Sequence, residues 1–206
     1  MSTPATGTDT AAPAVQGAGA DLLHQADVLD IVRTAYGAIE SPAGAGACLY
    51  DDGQLVGLPS GAEEWSLGVG NPVKFAALQP GEDVVDIGSG GGIDTLLAAR
   101  AVAPGGTATG VDLLPEMVQR ARRNASEAGV DNVQFVQGAM EALPLDDASA
   151  DVVVSNGVVN LSPRKTRTLF EIRRILRRGG RVSLTDIIVD EDLPTEVMTH
   201  PSAWAG

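Results

Sequence analysis

The chain has 206 residues, enough for one domain with a sizeable core. Its 14 Lys and Arg against 27 Asp and Glu give a formal net charge of -13, which argues against a general nucleic-acid or anionic-membrane binder, because both need clustered positive charge. Aromatic residues make up 3% of the chain, too few for a base-stacking surface, and no apolar run reaches the roughly 18 residues that span a bilayer.

Residues 1–20 are small and polar, with Pro4, Pro13, Gly7, Gly17 and Gly19, and lack the basic region of a signal peptide. They bury too little apolar surface to offset their ordering entropy, so the segment is expected to be disordered, with one domain over 21–206. Apolar residues at Leu22, Ala26, Leu29, Val32 and Tyr36 predict an amphipathic helix over 21–38. Residues 39–60, rich in Gly, Pro and Ser, predict an irregular loop, and residues 39–65 are expected to shape the acceptor pocket. This loop holds Cys48, the chain's one cysteine, which excludes an internal disulfide and a CxxC metal pair; no metal site is expected. That usage fits a reducing cytoplasm.

Asn71-Pro72 has the form of an N-cap and first helical residue, opening a short helix to Leu78. From Asp83 onward strands and helices alternate. Strands are predicted at 83–87, 107–111, 133–136, 151–155 and 181–189. Helices are predicted at 92–102, at 115–128 with Pro115 at its start and Gly129 past its end, and from Ser162-Pro163 to about Arg177. The alternation predicts an α/β, Rossmann-like parallel sheet with helices on both faces. Half of the basic residues lie between Arg164 and Arg178, and the simplest reading is one solvated helix face.

The chemistry concentrates in Val84-Val85-Asp86-Ile87-Gly88-Ser89-Gly90-Gly91-Gly92-Ile93-Asp94, where a buried strand runs into a glycine cluster that opens a helix. Glycines allow the backbone to turn sharply and approach a ligand closely, and the helix start offers free N–H groups. Asp112 ends the next strand, 20 residues after Gly92, where a carboxylate can accept hydrogen bonds from ribose hydroxyls. A nucleoside-bearing cofactor is therefore expected; the alternative is a glycine-rich turn with no ligand. The dinucleotide fingerprint would place a glycine at position 93, which is Ile93, so an NAD(P)-binding oxidoreductase is the weaker reading.

The spacing Gly88, Gly90, Gly92, with Asp86 two positions before, resembles motif I of S-adenosylmethionine (SAM)-dependent class I methyltransferases. Three further runs resemble arsenite methyltransferases: 66–72 (SLGVGNP), 111–117 (VDLLPEM) and 155–163 (SNGVVNLSP), along with the pair Tyr36-Gly37. The resemblance implies SAM as cofactor and methyl transfer to a small-molecule acceptor. It implies that Asp86, Gly88, Ser89 and Gly90 line the methionine and ribose part, and that Asp112 holds the ribose hydroxyls. Leu113 and Met117 would flank the adenine, and Ala139, Met140 and Glu141 would cover its edge. Asn156 and Val158 would face the reactive end, with Tyr36 and Asn71 closing the site. The family carries arsenic-binding cysteines at several positions. Cys48 matches one of these and is a candidate for holding substrate, whereas Val69 and Gly157 stand at two others. The resemblance also implies a class I fold lacking its last strands, leaving 182–189 as an apolar edge for a homodimer or second chain to cover. A noncatalytic SAM-binding subunit that stabilises a partner is the alternative from another class.

Overall fold

The computed structural model describes residues 25–38, 47–188 and 190. The segment 1–20 expected to be disordered lies outside these residues. Five strands form one parallel sheet: β1 (Asp83–Ile87), β2 (Thr107–Asp112), β3 (Val133–Gln137), β4 (Ala150–Asn156) and β5 (Leu176–Thr185), in the spatial order β3-β2-β1-β4-β5. All four pairings are parallel. The α/β class and the helix-flanked parallel sheet expected from the alternation are present.

The sheet is buried on both faces, which is why its central strands read as valine runs rather than alternating patterns. Val84, Val152 and Val154 pack with Ala98, Ala99 and Val102 of helix α5 (Ile93–Val102) on one face. Val85, Ile87 and Val153 point the other way, against Ile172 and Ile175 of helix α7 (Lys165–Ile175). Helix α6 (Pro115–Ala128) joins α5 in the first layer through Val118, Ala121 and Ala125, and its ends fall at Pro115 and Gly129 as expected.

Ahead of β1 lie helix α1 (Gln25–Gly37), a 3-10 turn at Ala47–Leu49, and the short helices α2 (Asp52–Leu55), α3 (Ser60–Glu64) and α4 (Pro72–Phe75). The stretch expected to be irregular is thus partly helical where it is described. No helix of the described residues is long and apolar enough to cross a membrane.

Two expectations need correction. The last helix ends at Ile175 rather than Arg177, and β5 begins at once, because Leu176 pairs with Ala150 before a register shift that precedes the pairing of Arg181 with Val152. The strand ends at Thr185; Val189 lies outside the described residues. The basic cluster, moreover, is not wholly solvated. Arg174 bonds Glu171, Asp147 and the carbonyls of Leu143 and Leu145. Arg177 bridges Asp83 and Asp151, tying the start of β5 to β1 and β4. Among the described residues no strand pairs with the outer side of β5, and Val182, Leu184, Ile187 and Ile188 are exposed there.

Candidate functional site

The strand order reverses direction at β1, which sits between β2 and β4, and open α/β sheets bind ligands beyond the carboxyl ends of strands at such a point. A cleft, open at its mouth, lies there. Its floor is the turn after β1. Gly88 and Ser89 donate their backbone N–H groups to Val111 O at 2.8 and 3.1 Å, and Gly90 N donates to Asp112 Oδ2 at 2.8 Å. Gly88 has φ +75, and a Cβ there would run into the Val158 side chain, so two loops meet over this glycine. The Asn124 amide of α6 donates to Gly91 O at 2.7 Å and fixes the far side of the turn.

Asp112 lines the cleft with its second oxygen accepting from Leu114 N at 2.9 Å. Burial pushes its carboxyl above the usual range, against the lowering effect of the backbone donors. Asp86 does not line the cleft. It lies beneath the turn, 2% exposed, and accepts from Thr95 Oγ at 2.6 Å. Its carboxyl is raised well above the usual range, first by burial and then by the charge of Asp94.

Asp94 does line the cleft, from the first turn of α5. Its Oδ2 accepts from Asn156 Nδ2 at 3.0 Å, and the Tyr50 hydroxyl donates to the same carboxylate. Burial pushes its carboxyl up to about 6 despite both donors. Tyr50 is itself raised by burial and by Asp94. Asn156, at the end of β4, is the junction of the wall. Its Oδ1 accepts from Val69 N (2.9 Å), Gly70 N (3.1 Å) and Thr185 Oγ (2.8 Å), and its Nδ2 also faces Gly70 O at 2.8 Å and Tyr50 Oη at 3.1 Å.

The opposite wall is apolar. Leu29, Val32 and Tyr36 of α1 line it together with Leu67 and Leu161. Trp65 closes one end, with the Arg120 guanidinium stacked 3.7 Å from its ring centre.

Of the residues singled out in the sequence, Tyr36, Gly88, Ser89, Gly90, Asp112, Leu113, Met117, Met140, Glu141, Asn156 and Val158 line this cleft. Four do not. Asp86 supports the turn from below. Asn71 is 5% exposed and caps α4, accepting from Lys74 N at 3.0 Å and donating to Gln54 Oε1 at 2.8 Å; its hydrogen-bonding groups are turned to the helix rather than to the cleft. Ala139 forms a bridge with Ala142 beside the lining. Cys48 is exposed in the 3-10 turn, outside the lining. Conversely, Tyr50, Trp65, Ser66 and Asp94 line the cleft without having been singled out.

The cleft has the chemistry of a binding site. Five buried side-chain polar atoms lack a hydrogen-bond partner among the described residues, and four belong to cleft residues: Ser66 Oγ, Ser89 Oγ, Asp94 Oδ1 and Glu141 Oε2. Each such atom costs about 1–3 kcal/mol unless a ligand satisfies it. Among the described residues no Lys, Arg or His lines the cleft, while Asp94, Asp112 and Glu141 do. The arrangement suits a ligand that brings positive charge and several donors. It is unsuited to a pyrophosphate, whose charge would meet carboxylates and no cation.

Comparison with known proteins agrees with this geometry. Residues 78–206 match the family model of a methyltransferase domain. The arsenite methyltransferase of Halobacterium salinarum is 43% identical over 157 residues, covering 76% of this chain and 40% of that protein. The human arsenite methyltransferase is 34% identical over 130 residues, 59% of this chain and 35% of that one. The crystal structure of an arsenic(III) S-adenosylmethionine methyltransferase from Chlamydomonas reinhardtii superposes with a TM-score of 0.65 at 36% identity, covering 80% of this chain and 55% of that chain. The chain therefore spans about two fifths of the length of the curated relatives it matches.

Proposed function

This chain belongs to the methyltransferase-domain family, and from that premise we propose that it is a SAM-dependent enzyme transferring a methyl group to a small-molecule acceptor. The observation that carries the reading is the cluster of buried polar atoms, unpartnered among the described residues, along an acidic cleft at the glycine turn. SAM carries two positive centres and a donor-rich nucleoside, which such a lining complements; when bound it supplies a methyl group already activated on a sulfonium.

The protein's task is then positioning. Asp112, held in place by Gly90 N and Leu114 N, keeps lone pairs free for ribose hydroxyls. Leu113 and Met117 offer flat apolar contact to an adenine, and Glu141 Oε2 is a free acceptor for an exocyclic amino group. The wall of Leu29, Val32, Tyr36 and Leu161 excludes water and suits an acceptor with apolar surface. A soft acceptor needs no strong base, in keeping with a lining whose described residues include no histidine or lysine. Trivalent arsenicals head the acceptor screen, with Cys48 the candidate thiol. The exposed Val182 and Leu184 on β5 suit an added strand from a second copy or another chain, and a SAM-dependent enzyme with one cysteine suits the cytoplasm.

Calorimetric titration with SAM tests the reading. Binding is expected, weakened by on the order of 1–3 kcal/mol in Asp112→Ala. Binding of a nicotinamide dinucleotide in place of SAM would overturn it.

A further inference from the structure

The unpartnered buried atom that the SAM reading leaves unexplained is Arg120 Nε, outside the cleft lining. Arg120 makes no hydrogen bond or ion pair among the described residues. Its charged neighbours are Arg123, which repels it, and Glu64, which attracts it. A guanidinium with an unpaired buried nitrogen keeps its place at a cost, so what holds it is the attraction of an aromatic face for a cation. That face is the ring of Trp65, whose centre lies 3.7 Å from the guanidinium carbon. Trp65 follows directly on α3 and is buried in the cleft lining, in a cluster with Leu114 and Met117, the end where an adenine is offered apolar contact. A Cβ built on Gly91 would lie 2.9 Å from Trp65 Cβ, which seats this side chain on the glycine turn. Tyr36 of α1 packs on the same cluster.

We propose that Trp65 covers the nucleoside portion of the bound cofactor and that Arg120 latches the ring there, so that the stack sets how fast SAM and S-adenosylhomocysteine leave. The inference rests on the SAM reading above. Trp65 is a binding residue here, and Arg120 is a positioning residue that acts on the ligand through the ring. Release requires the ring to leave the guanidinium, whereas entry takes place with the ring already displaced. Loss of the stack therefore raises the release rate and leaves association little changed. Since Arg120 carries none of the scaffold's hydrogen bonds among the described residues, replacing it disturbs the latch and spares the fold.

The test is a rapid-mixing chase on the whole chain. Tritiated SAM is bound and then displaced by excess unlabelled SAM, which gives the release rate; mixing with free chain gives the association rate. The variants are Arg120→Met, which keeps an unbranched stem without the charge, Trp65→Leu, and the two together. Each single variant is expected to release SAM about fivefold faster or more, with association within about twofold of the wild type. The double variant should release no faster than Trp65→Leu alone, because Arg120 acts through the ring. The same acceleration is expected with 5′-methylthioadenosine, which keeps the nucleoside and sulfur but has no amino-acid tail. The proposal is overturned by an Arg120→Met chain whose release stays within about twofold of the wild type, by accelerations that add in the double variant, or by an effect confined to SAM. A wild-type chain that binds neither ligand removes the SAM reading itself and the latch with it, whereas binding with release indifferent to Arg120 removes the latch alone.

Discussion

Asn156→Ala is expected to loosen the whole wall of the cleft, by an amount the hydrogen-bond geometry sets. The amide contacts three donors through Oδ1 and three oxygens through Nδ2, drawn from the 68–70 loop, β5, α5 and Tyr50. The Val69 N–H lies at an exposed contact, where water replaces the lost partner at little cost. Gly70 N–H, Gly70 C=O and the Asp94 carboxylate are less accessible, and each lost partner there costs about 1 kcal/mol or more. The sum is about 3 kcal/mol. For a domain of this size that lowers the melting temperature by roughly 6–12 °C, and the urea midpoint by about 1.5 M at a slope near 2 kcal/mol/M. Urea and thermal unfolding of the ligand-free chain measure both, with Gln137→Ala as control, since that exposed side chain makes a single 3.2 Å bond to Leu113 O and should change stability by no more than about 0.5 kcal/mol. A loss below about 1 kcal/mol in Asn156→Ala would show that the junction does not hold the wall.

Two further outcomes are expected. Burial raises Asp94 from 3.8 to about 6 in the folded chain, so between those values the folded state binds more protons than the unfolded one, and stability falls as pH rises through that window. Relative to Asp94→Asn, the ligand-free wild type should lose on the order of 2 kcal/mol between pH 4 and 6; a pH-independent difference between the two unfolding curves would refute the assignment. A Cβ built on Gly157 lies 3.6 Å from both Val69 Cγ atoms, so Val69→Cys with Gly157→Cys should close a disulfide under mild oxidation. Thiols at both positions that stay titratable with Ellman's reagent after oxidation would refute that adjacency.

The parts of the fold legible in the sequence are those whose signals are local. Helix α6 begins at Pro115 and stops at Gly129 because a ring without an N–H and a residue at φ +62 mark those ends chemically. The strand–glycine–helix unit over 83–102 is equally local, as is the valine run of β4. The β5 boundary was not legible, because its early start depends on Leu176 meeting Ala150, a pairing that no local pattern announces. The short helices between residues 47 and 64 are too brief to show a period. Asn71-Pro72 shows the limit in another way: the dipeptide is a helix opener in sequence and in structure, and that local role occupies the amide otherwise expected at the cofactor. Tyr50 became a cleft residue only through contact with Asn156, 106 positions away. Asp94, by contrast, had a readable signal: an acid at the second helical position after a glycine turn sits near the ligand that the turn approaches.

The same burial explains why the site is both unstable and selective. Asp86, Asp94 and Asp112 all have carboxyls raised by burial, so the interior of the ligand-free chain disfavours charge on each of them. The sheet can carry that cost because it is braced at the opposite end, where Arg177 joins Asp83 to Asp151 and Arg181 joins Glu82 to the carbonyls of Ala76 and Ala77 just past α4. With the strands pinned there, the carboxyl ends of β1 and β2 and the start of α5 keep the three acids close without splaying apart. A cation entering the cleft lowers the cost of Asp94 and Asp112 together, whereas an anion raises it. Affinity and selectivity therefore come from a single electrostatic term. The term weakens below about pH 6, where Asp94 takes up a proton, and it is strongest where the empty site is least comfortable.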